Sequence, residues 1–223
     1  DNYMTGRSTG LATYRNSNFF GLVEGLNVAV QYQGKNDETL VGANNGRAIQ
    51  KANGDGFGLS VDYQDIGGSG IGAAASYSSS NRTLGQKTLT NSATGDKAQA
   101  WATALKYDAN QVYIAAMYGE TRNMTPYGSV IATKTQNVEL VAQYQLEKGI
   151  RPSLGYVQSK GKDLVGVAGG DADLLKYVDI GVTYYINKNL YTYVDYQINQ
   201  LNDDNKLGLG TDDVVAAALV YRF

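Results

Sequence analysis

The chain has 223 residues and a formal net charge of -2, and it contains neither cysteine nor histidine. The lack of cysteine excludes disulfides, thiolate metal ligands and cysteine nucleophiles, and the lack of histidine excludes Ser-His-Asp catalysis and imidazole metal ligands. We therefore expect a protein that is not an enzyme and that has no metal site and no cofactor. The near-neutral charge also predicts no nucleic-acid partner.

No stretch approaches the roughly 18 apolar residues of a membrane helix. The chain instead reads as short segments in which apolar and polar residues alternate, which predicts β-strands with two unlike faces. The predicted apolar faces follow one another along the chain, and they give eleven strands: Gly10, Ala12, Tyr14; Leu26, Val28, Val30, Tyr32; Phe57, Leu59, Val61, Tyr63; Ile71, Ala73, Ala75, Tyr77; Trp101, Thr103, Leu105, Tyr107; Val112, Ile114, Ala116, Tyr118; Val138, Leu140, Ala142, Tyr144; Pro152, Leu154, Tyr156; Val178, Ile180, Val182, Tyr184; a segment with Tyr196; and Val215, Ala217, Leu219, Tyr221, Phe223.

A tyrosine closes the apolar face of nearly every predicted strand. In an up-and-down meander, successive strands end at opposite rims, so these tyrosines predict two aromatic rings with an aliphatic belt between them. Aromatic rings at both water–lipid boundaries are typical of transmembrane β-barrels.

The links between the predicted strands alternate between short and long. Short links fall at 64–70, 108–110, 147–149 and 186–189, whereas long polar links cover roughly 34–55, 79–96, 122–133, 160–173 and 201–211. Short turns at one rim and long loops at the other are typical of outer-membrane barrels. We therefore predict an all-β fold, a transmembrane antiparallel up-and-down β-barrel in which residues 1–223 form a single barrel domain, with lipid outside and a polar lumen inside.

Eleven strands cannot close such a barrel in the usual way, because single-chain bacterial barrels have an even number of strands. An open sheet would leave backbone groups unpaired in lipid. We therefore expect that an N-terminal portion of the barrel is absent from this sequence. The first residues contain no basic n-region and no apolar h-region, so we expect no signal peptide.

Several long motifs resemble those of a known family: "ATYRNSNFFGLVEGLNVAVQYQGKN", "LKYDANQVYIAAMYGETRN", "RPSLGYVQSKGKD", "KYVDIGVTYYINKNLYTYVDYQIN" and the terminal "VYRF". They are similar to the enterobacterial general diffusion porins of the OmpF/OmpC type. The resemblance implies a 16-stranded barrel of which this chain supplies the last eleven strands. It further implies a homotrimer in the outer membrane of a Gram-negative bacterium, in contact with lipid and lipopolysaccharide, that passes small hydrophilic solutes and ions.

Five residues are candidates for function. The resemblance implies that Arg7 belongs to the basic cluster of the pore constriction, and alternation also points Arg7 inward. It implies that Phe223, with Tyr221 on the same face, is the C-terminal signal for barrel assembly. Lys106 and Asp195 are predicted lumen charges, which either set up a field across the channel or only keep its wall wet.

Three alternatives stay open at this stage. The barrel could act chiefly as a structural protein or as a phage or antibody receptor rather than as a channel. The glycine-rich "GGSGIG" at 67–72 fits a tight turn better than a nucleotide site, because a strand and not a helix follows it. The small outward residues of the first segment indicate either a contact with another chain or a poorly phased strand.

Overall fold

The computed structural model describes residues 3–4, 8–36 and 49–223. Its strands are β1 Leu11–Asn16, β2 Leu26–Gln33, β3 Gly56–Tyr63, β4 Ile71–Asn81, β5 Lys97–Ala109, β6 Val112–Arg122, β7 Pro126–Tyr127, β8 Val130–Ile131, β9 Lys134–Tyr144, β10 Ile150–Lys162, β11 Ala172–Tyr185, β12 Leu190–Asn199 and β13 Val214–Tyr221. Its helices are the short α1 Asn18–Gly21 and α2 Leu84–Lys87 and the 3₁₀ turns Ile49–Lys51, Ile66–Gly68 and Glu147–Gly149. Within these described ranges, no helix is long and apolar enough to cross a membrane.

The main sheet contains the eleven strands predicted from the sequence, in the order β1-β2-β3-β4-β5-β6-β9-β10-β11-β12-β13, and every neighbouring pair is antiparallel. In the described part of the chain, β1 and β13 each pair with one strand. The β7–β8 hairpin was not predicted, because each of its strands has two residues and shows no alternation. The glycine-rich 67–72 stretch is a turn, in which Gly67, Gly68 and Gly70 have positive φ.

The register of the sheet confirms the two predicted faces. Val30 of β2 lies between Tyr14 of β1 and Leu59 of β3, and Leu59 in turn pairs with Tyr77 of β4. The large apolar side chains of this face are exposed, whereas the buried apolar cluster of the described residues contains only Tyr3, Ala98 and Met124. In a soluble β-sandwich, two sheets bury their apolar faces against each other. Since this apolar face is exposed, the sheet requires an apolar environment outside the protein.

The aromatic residues form the two predicted rings, but one ring differs from the prediction. Tyr63, Tyr107, Tyr144 and Tyr184 lie at the ends of their strands beside the short turns, as expected. At the other rim the strands continue beyond the tyrosines, and β10 extends from Tyr156 to Lys162. The prediction that a tyrosine ends nearly every strand was therefore wrong for β4, β6 and β10, because the backbone ladder continues beyond the aromatic ring there. Trp101 belongs to this second ring and packs edge-to-face on Tyr118, with the ring centroids 5.5 Å apart.

The long links form a packed layer at the rim beyond the second ring. The Arg82 guanidinium donates hydrogen bonds to the carbonyls of Ala93, Gly95 and Gln86 at 2.9, 2.7 and 2.7 Å. Gln86 also accepts a hydrogen bond from the Tyr3 hydroxyl at 2.5 Å. Burial lowers the pKa of the Arg82 guanidinium below its ordinary value. Charge-assisted hydrogen bonds of this kind hold the link after β4 in one conformation.

The two faces of the sheet predict opposite responses to a new charge on adjacent residues of β9. Leu140 lies on the apolar face between Ala116 and Tyr156, and Val141 lies on the polar face between Ala115 and Gly155. We expect Leu140→Lys to lower the free energy of unfolding by about 2–4 kcal/mol, since it places an ammonium in lipid. Val141→Lys should change it little. Urea unfolding of the protein in lipid vesicles measures both values, and equal losses would contradict the assignment of the faces.

Candidate functional site

The polar face of the main sheet carries the candidate site, and we call this surface the inner wall. Its charged side chains come from strands spread across the sheet: Arg15 on β1, Asp62 on β3, Lys106 and Asp108 on β5, Glu139 on β9, Arg151 on β10, Asp179 on β11 and Asp195 on β12. Their register positions place all of them on the face opposite the exposed apolar residues. The predicted inward positions of Lys106 and Asp195 are therefore consistent with the structure.

Lys106 lies against a glycine of the neighbouring strand. It pairs with Gly72 of β4, and a Cβ atom built on Gly72 would lie 2.8 Å from Cε of Lys106. The lysine stem therefore crosses β4 through space that a side chain at position 72 would occupy. Within the described residues, the Lys106 ammonium forms no ion pair, so its charge is available to the lumen.

Asp195 shows the same arrangement on another part of the wall. A Cβ atom on Gly181 would overlap Oδ1 of Asp195 and would lie 2.5 Å from Oγ of Ser153. Asp179 pairs with Gly155 of β10, but a Cβ atom there would lie at an ordinary contact distance of 3.5 Å from Cβ of Asp179. One carboxylate oxygen of Asp179 is buried with no hydrogen-bond partner among the described residues. Glycines on neighbouring strands thus leave space for the side chains of Lys106 and Asp195 to lie along the inner wall.

The charges are partly segregated around the wall. The acidic residues Glu139, Asp179 and Asp195 lie on β9, β11 and β12, whereas Arg15 and Lys106 lie on β1 and β5. Asp62 of β3, Asp108 of β5 and Arg151 of β10 depart from this division. Asp62 accepts a hydrogen bond from Asn27 at 2.9 Å. Opposed clusters of charge across a water-filled lumen can bias which ions pass.

The remaining predicted site residues lie elsewhere. Arg7 lies outside the described residues, so its place in a basic cluster stays a prediction. Tyr221 is the last residue of β13 and shares the apolar face with Leu219, and both side chains are exposed. Phe223 follows the strand and is fully exposed.

The sequence reading missed a stack of aromatic and cationic side chains at the short-turn end of the inner wall. The Arg151 guanidinium lies 5.3 Å from the Tyr185 ring centre, the Tyr185 and Tyr191 rings are 5.5 Å apart, and the Arg222 guanidinium lies 5.1 Å from Tyr191. Alternation alone places Arg151 and Tyr185 on the polar face. Their contact across strands depends on the register, which the sequence does not show.

Comparisons with known proteins agree with this geometry. The family model described as "Gram-negative porin" matches residues 1–223. The chain is 57% identical to the outer membrane porin PhoE of Citrobacter freundii and 54% identical to that of Escherichia coli (strain K12), in both cases over all of its own length and 60% of the relative's length. It superposes on the structure of "Salmonella typhi OmpF complex with Daunomycin" with a TM-score of 0.86 and 48% identity, covering 100% of this chain and 64% of that one.

These matches confirm two predictions from the sequence. The resemblance to general diffusion porins is confirmed by the family model and by the relatives at 54% to 57% identity. The fold class is confirmed by the close match to the OmpF barrel, a 16-stranded antiparallel fold of which this chain supplies eleven strands. The chain spans about 60% of the length of the curated relatives that it matches.

The contact between Gly181 and Asp195 can be tested by adding one methyl group. We expect Gly181→Ala to lower the free energy of unfolding by about 1–3 kcal/mol, because the new Cβ overlaps the Asp195 carboxylate. The loss should shrink in an Asp195→Ala background, where the overlap with the carboxylate is gone and only the overlap with Oγ of Ser153 remains. Gly210→Ala is the control, since a Cβ there meets no atom within 4 Å. Equal losses in both backgrounds, measured by urea unfolding, would refute the contact.

Proposed function

Because the chain belongs to the family of Gram-negative porins, we propose that it forms the wall of a passive, water-filled channel. The channel would let small hydrophilic solutes and ions diffuse across the membrane without any bond being broken. The family places the chain in the outer membrane of a Gram-negative bacterium, which it crosses several times with β-strands. Porins are non-enzymatic channels, so the prediction that the chain is not an enzyme is confirmed.

The observation that carries this proposal is the division of the main sheet into an apolar and a charged face. The apolar face has no partner within the described part of the chain and requires lipid. The opposite face bears charges of both signs, which require water. A curved sheet with lipid on one side and water on the other is the wall of a pore.

We propose that wall charges give the channel a weak ion selectivity. Asp195 and Lys106 lie on different parts of the inner wall, and each projects across a neighbouring glycine. Arg7 would add to the basic side at the constriction, a role that rests on the resemblance and on the inward phase of the alternation. The acidic row of β9, β11 and β12 favours cations, and the lysine and arginines oppose it.

The partners of the whole protein are also proposals. The resemblance supports a homotrimer, in which the outer face at β1 is a candidate contact because the small residues Gly10 and Ala12 leave room for another chain. It also supports a role for Phe223 and Tyr221 as the signal that the barrel-assembly machinery reads. The exposure of both side chains at the end of β13 would allow such a contact before the barrel closes.

We propose that the outer face binds lipopolysaccharide just beyond the second aromatic ring. Alternation places the side chains of Arg122, Lys160 and Lys176 on the lipid-facing side of β6, β10 and β11, one or two outward positions beyond Tyr118 and Tyr156. Within the described residues these three cations form no ion pair, unlike Lys134, whose ammonium lies 2.8 Å from Glu120. Basic clusters at this depth attract anionic head groups.

Conductance tests the channel. We expect the protein, purified in detergent and added to a planar bilayer, to give stepwise currents that scale with the conductivity of the salt solution. Asp195→Asn should reduce the preference for cations by about 1.5- to 2-fold, because it removes one wall carboxylate. The reversal potential across a salt gradient measures this preference, and Asp203→Asn in the link after β12 is the control. A folded protein that carries no current would instead support the structural or receptor function.

Lipopolysaccharide binding is tested by removing the three unpaired cations together. We expect the variant with Arg122→Gln, Lys160→Gln and Lys176→Gln to bind lipopolysaccharide roughly 100-fold more weakly and to lose it during purification, since each of the three cations contributes about 1 kcal/mol near an anionic surface. The matched control replaces Lys148 and Lys188, which lie in the short turns at the other rim. Native mass spectrometry counts the bound molecules, and an unchanged count would exclude this surface.

A further inference from the structure

The inner wall contains a pocket of about 210 Å³ near the short-turn end of β3 to β6, which we call the alanine pocket. Its floor consists of Gly72 and Ala74 from β4, Ala104 from β5 and Ala115 from β6. These positions are neighbours in the register, since Ala74 pairs with Ala104 and Gly72 pairs with Lys106. The floor is therefore a continuous patch of small apolar residues on the inner wall.

Charges of opposite sign border this floor. Asp62 of β3 lies on one side, and its Oδ2 atom accepts a hydrogen bond from Asn27, which fixes the carboxylate. Lys106 of β5 lies on the other side, with its stem across Gly72. The two residues are two strands apart, a spacing of about 10 Å between backbones, and no ion pair joins them among the described residues.

The shape of the pocket depends on the small size of its floor residues. A Cβ atom on Gly72 would lie 2.6 Å from the Gln64 carbonyl oxygen and 2.8 Å from Lys106 Cε, so no other residue fits there without displacing the lysine. Tyr113 of β6 closes the third side with an aromatic ring. The pocket thus offers an acceptor, a donor and an apolar surface in fixed positions, which is the usual composition of a small-molecule site.

We propose that the alanine pocket is a retention site for small zwitterions of dipeptide size with an apolar body. The solute ammonium contacts Asp62, its carboxylate contacts Lys106, and its aliphatic side chain covers Ala74 and Ala104. A solute with one charge leaves either Asp62 or Lys106 unmatched, and a solute without an apolar body leaves the floor wet. The inference rests on the proposed channel function, because it names the class of solute that one part of the wall holds.

The experiment uses zwitterionic alanyl-leucine as the probe and its N-acetyl amide, which lacks both end charges, as the comparison. Single-channel current noise gives the residence time of each probe on the protein in a planar bilayer. We expect a measurable residence time for alanyl-leucine and none for the capped probe. Lys106→Met and Asp62→Asn should each shorten the residence time at least threefold.

Two further variants separate the pocket from the general charge of the wall. Ala104→Leu fills the floor without changing any charge, and it should shorten the residence time as well. Lys97→Met removes a lysine from the opposite face of the same strand, and it should leave the residence time unchanged. Residence times that respond to the charge variants but not to Ala104→Leu would overturn the pocket and leave only a long-range effect.

The failure of the proposed function gives a different result from the failure of the pocket. A protein that conducts but holds alanyl-leucine equally well in all variants remains a channel and has no such site. A protein that does not conduct fails the channel proposal, and saturation-transfer NMR in detergent then tests the pocket directly. In that measurement, a probe signal that Lys106→Met and Ala104→Leu both abolish supports the site, and a signal that neither changes overturns it.

Discussion

The hydrogen-bond ladder between neighbouring antiparallel strands is the interaction on which the rest of this structure depends. In lipid no water is present to satisfy backbone N–H and C=O groups, so each strand must pair along its length with the next. The main sheet meets this requirement from β1 to β13 without a parallel pair. Because the ladder fixes the register, it also fixes which side chains face lipid and which face the lumen.

On the inner wall, the pairing of strands determines where the charged side chains lie. Lys106 and Asp195 each pair with a glycine of an adjacent strand, and the missing side chain gives each charged group space across that strand. A larger residue at Gly181 or Gly72 would displace the charged group of Asp195 or Lys106 into the lumen, and the lumen would become narrower there. Glycine, which weakens isolated strands, therefore has a positive role here, since it sets the position of each charge and the width available to solutes.

The two rims differ because the ladder ends differently at each of them. Beside the short turns, strands stop at the tyrosine ring and the chain reverses at once. At the other rim, β10 continues to Lys162, and its outward residues beyond Tyr156 become polar or cationic. The links there pack around the buried Arg82, whose guanidinium joins three carbonyl groups. At that rim the extended strands and the packed links lie beyond the second aromatic ring. The proposed lipopolysaccharide surface lies just beyond the same ring, on the lipid-facing side.

The sequence by itself determined the number of strands in the main sheet, their apolar faces and the side of each wall charge. Period-2 alternation contains this information, because side-chain direction in a strand is a local property of the backbone. Only the tertiary structure decided which residues meet across strands: Lys106 with Gly72, Asp195 with Gly181, and Arg151 with Tyr185. The β7–β8 hairpin and the extension of β10 past Tyr156 could not be predicted from the sequence either. Each of these depends on register or on packing between distant segments, which local pattern cannot encode.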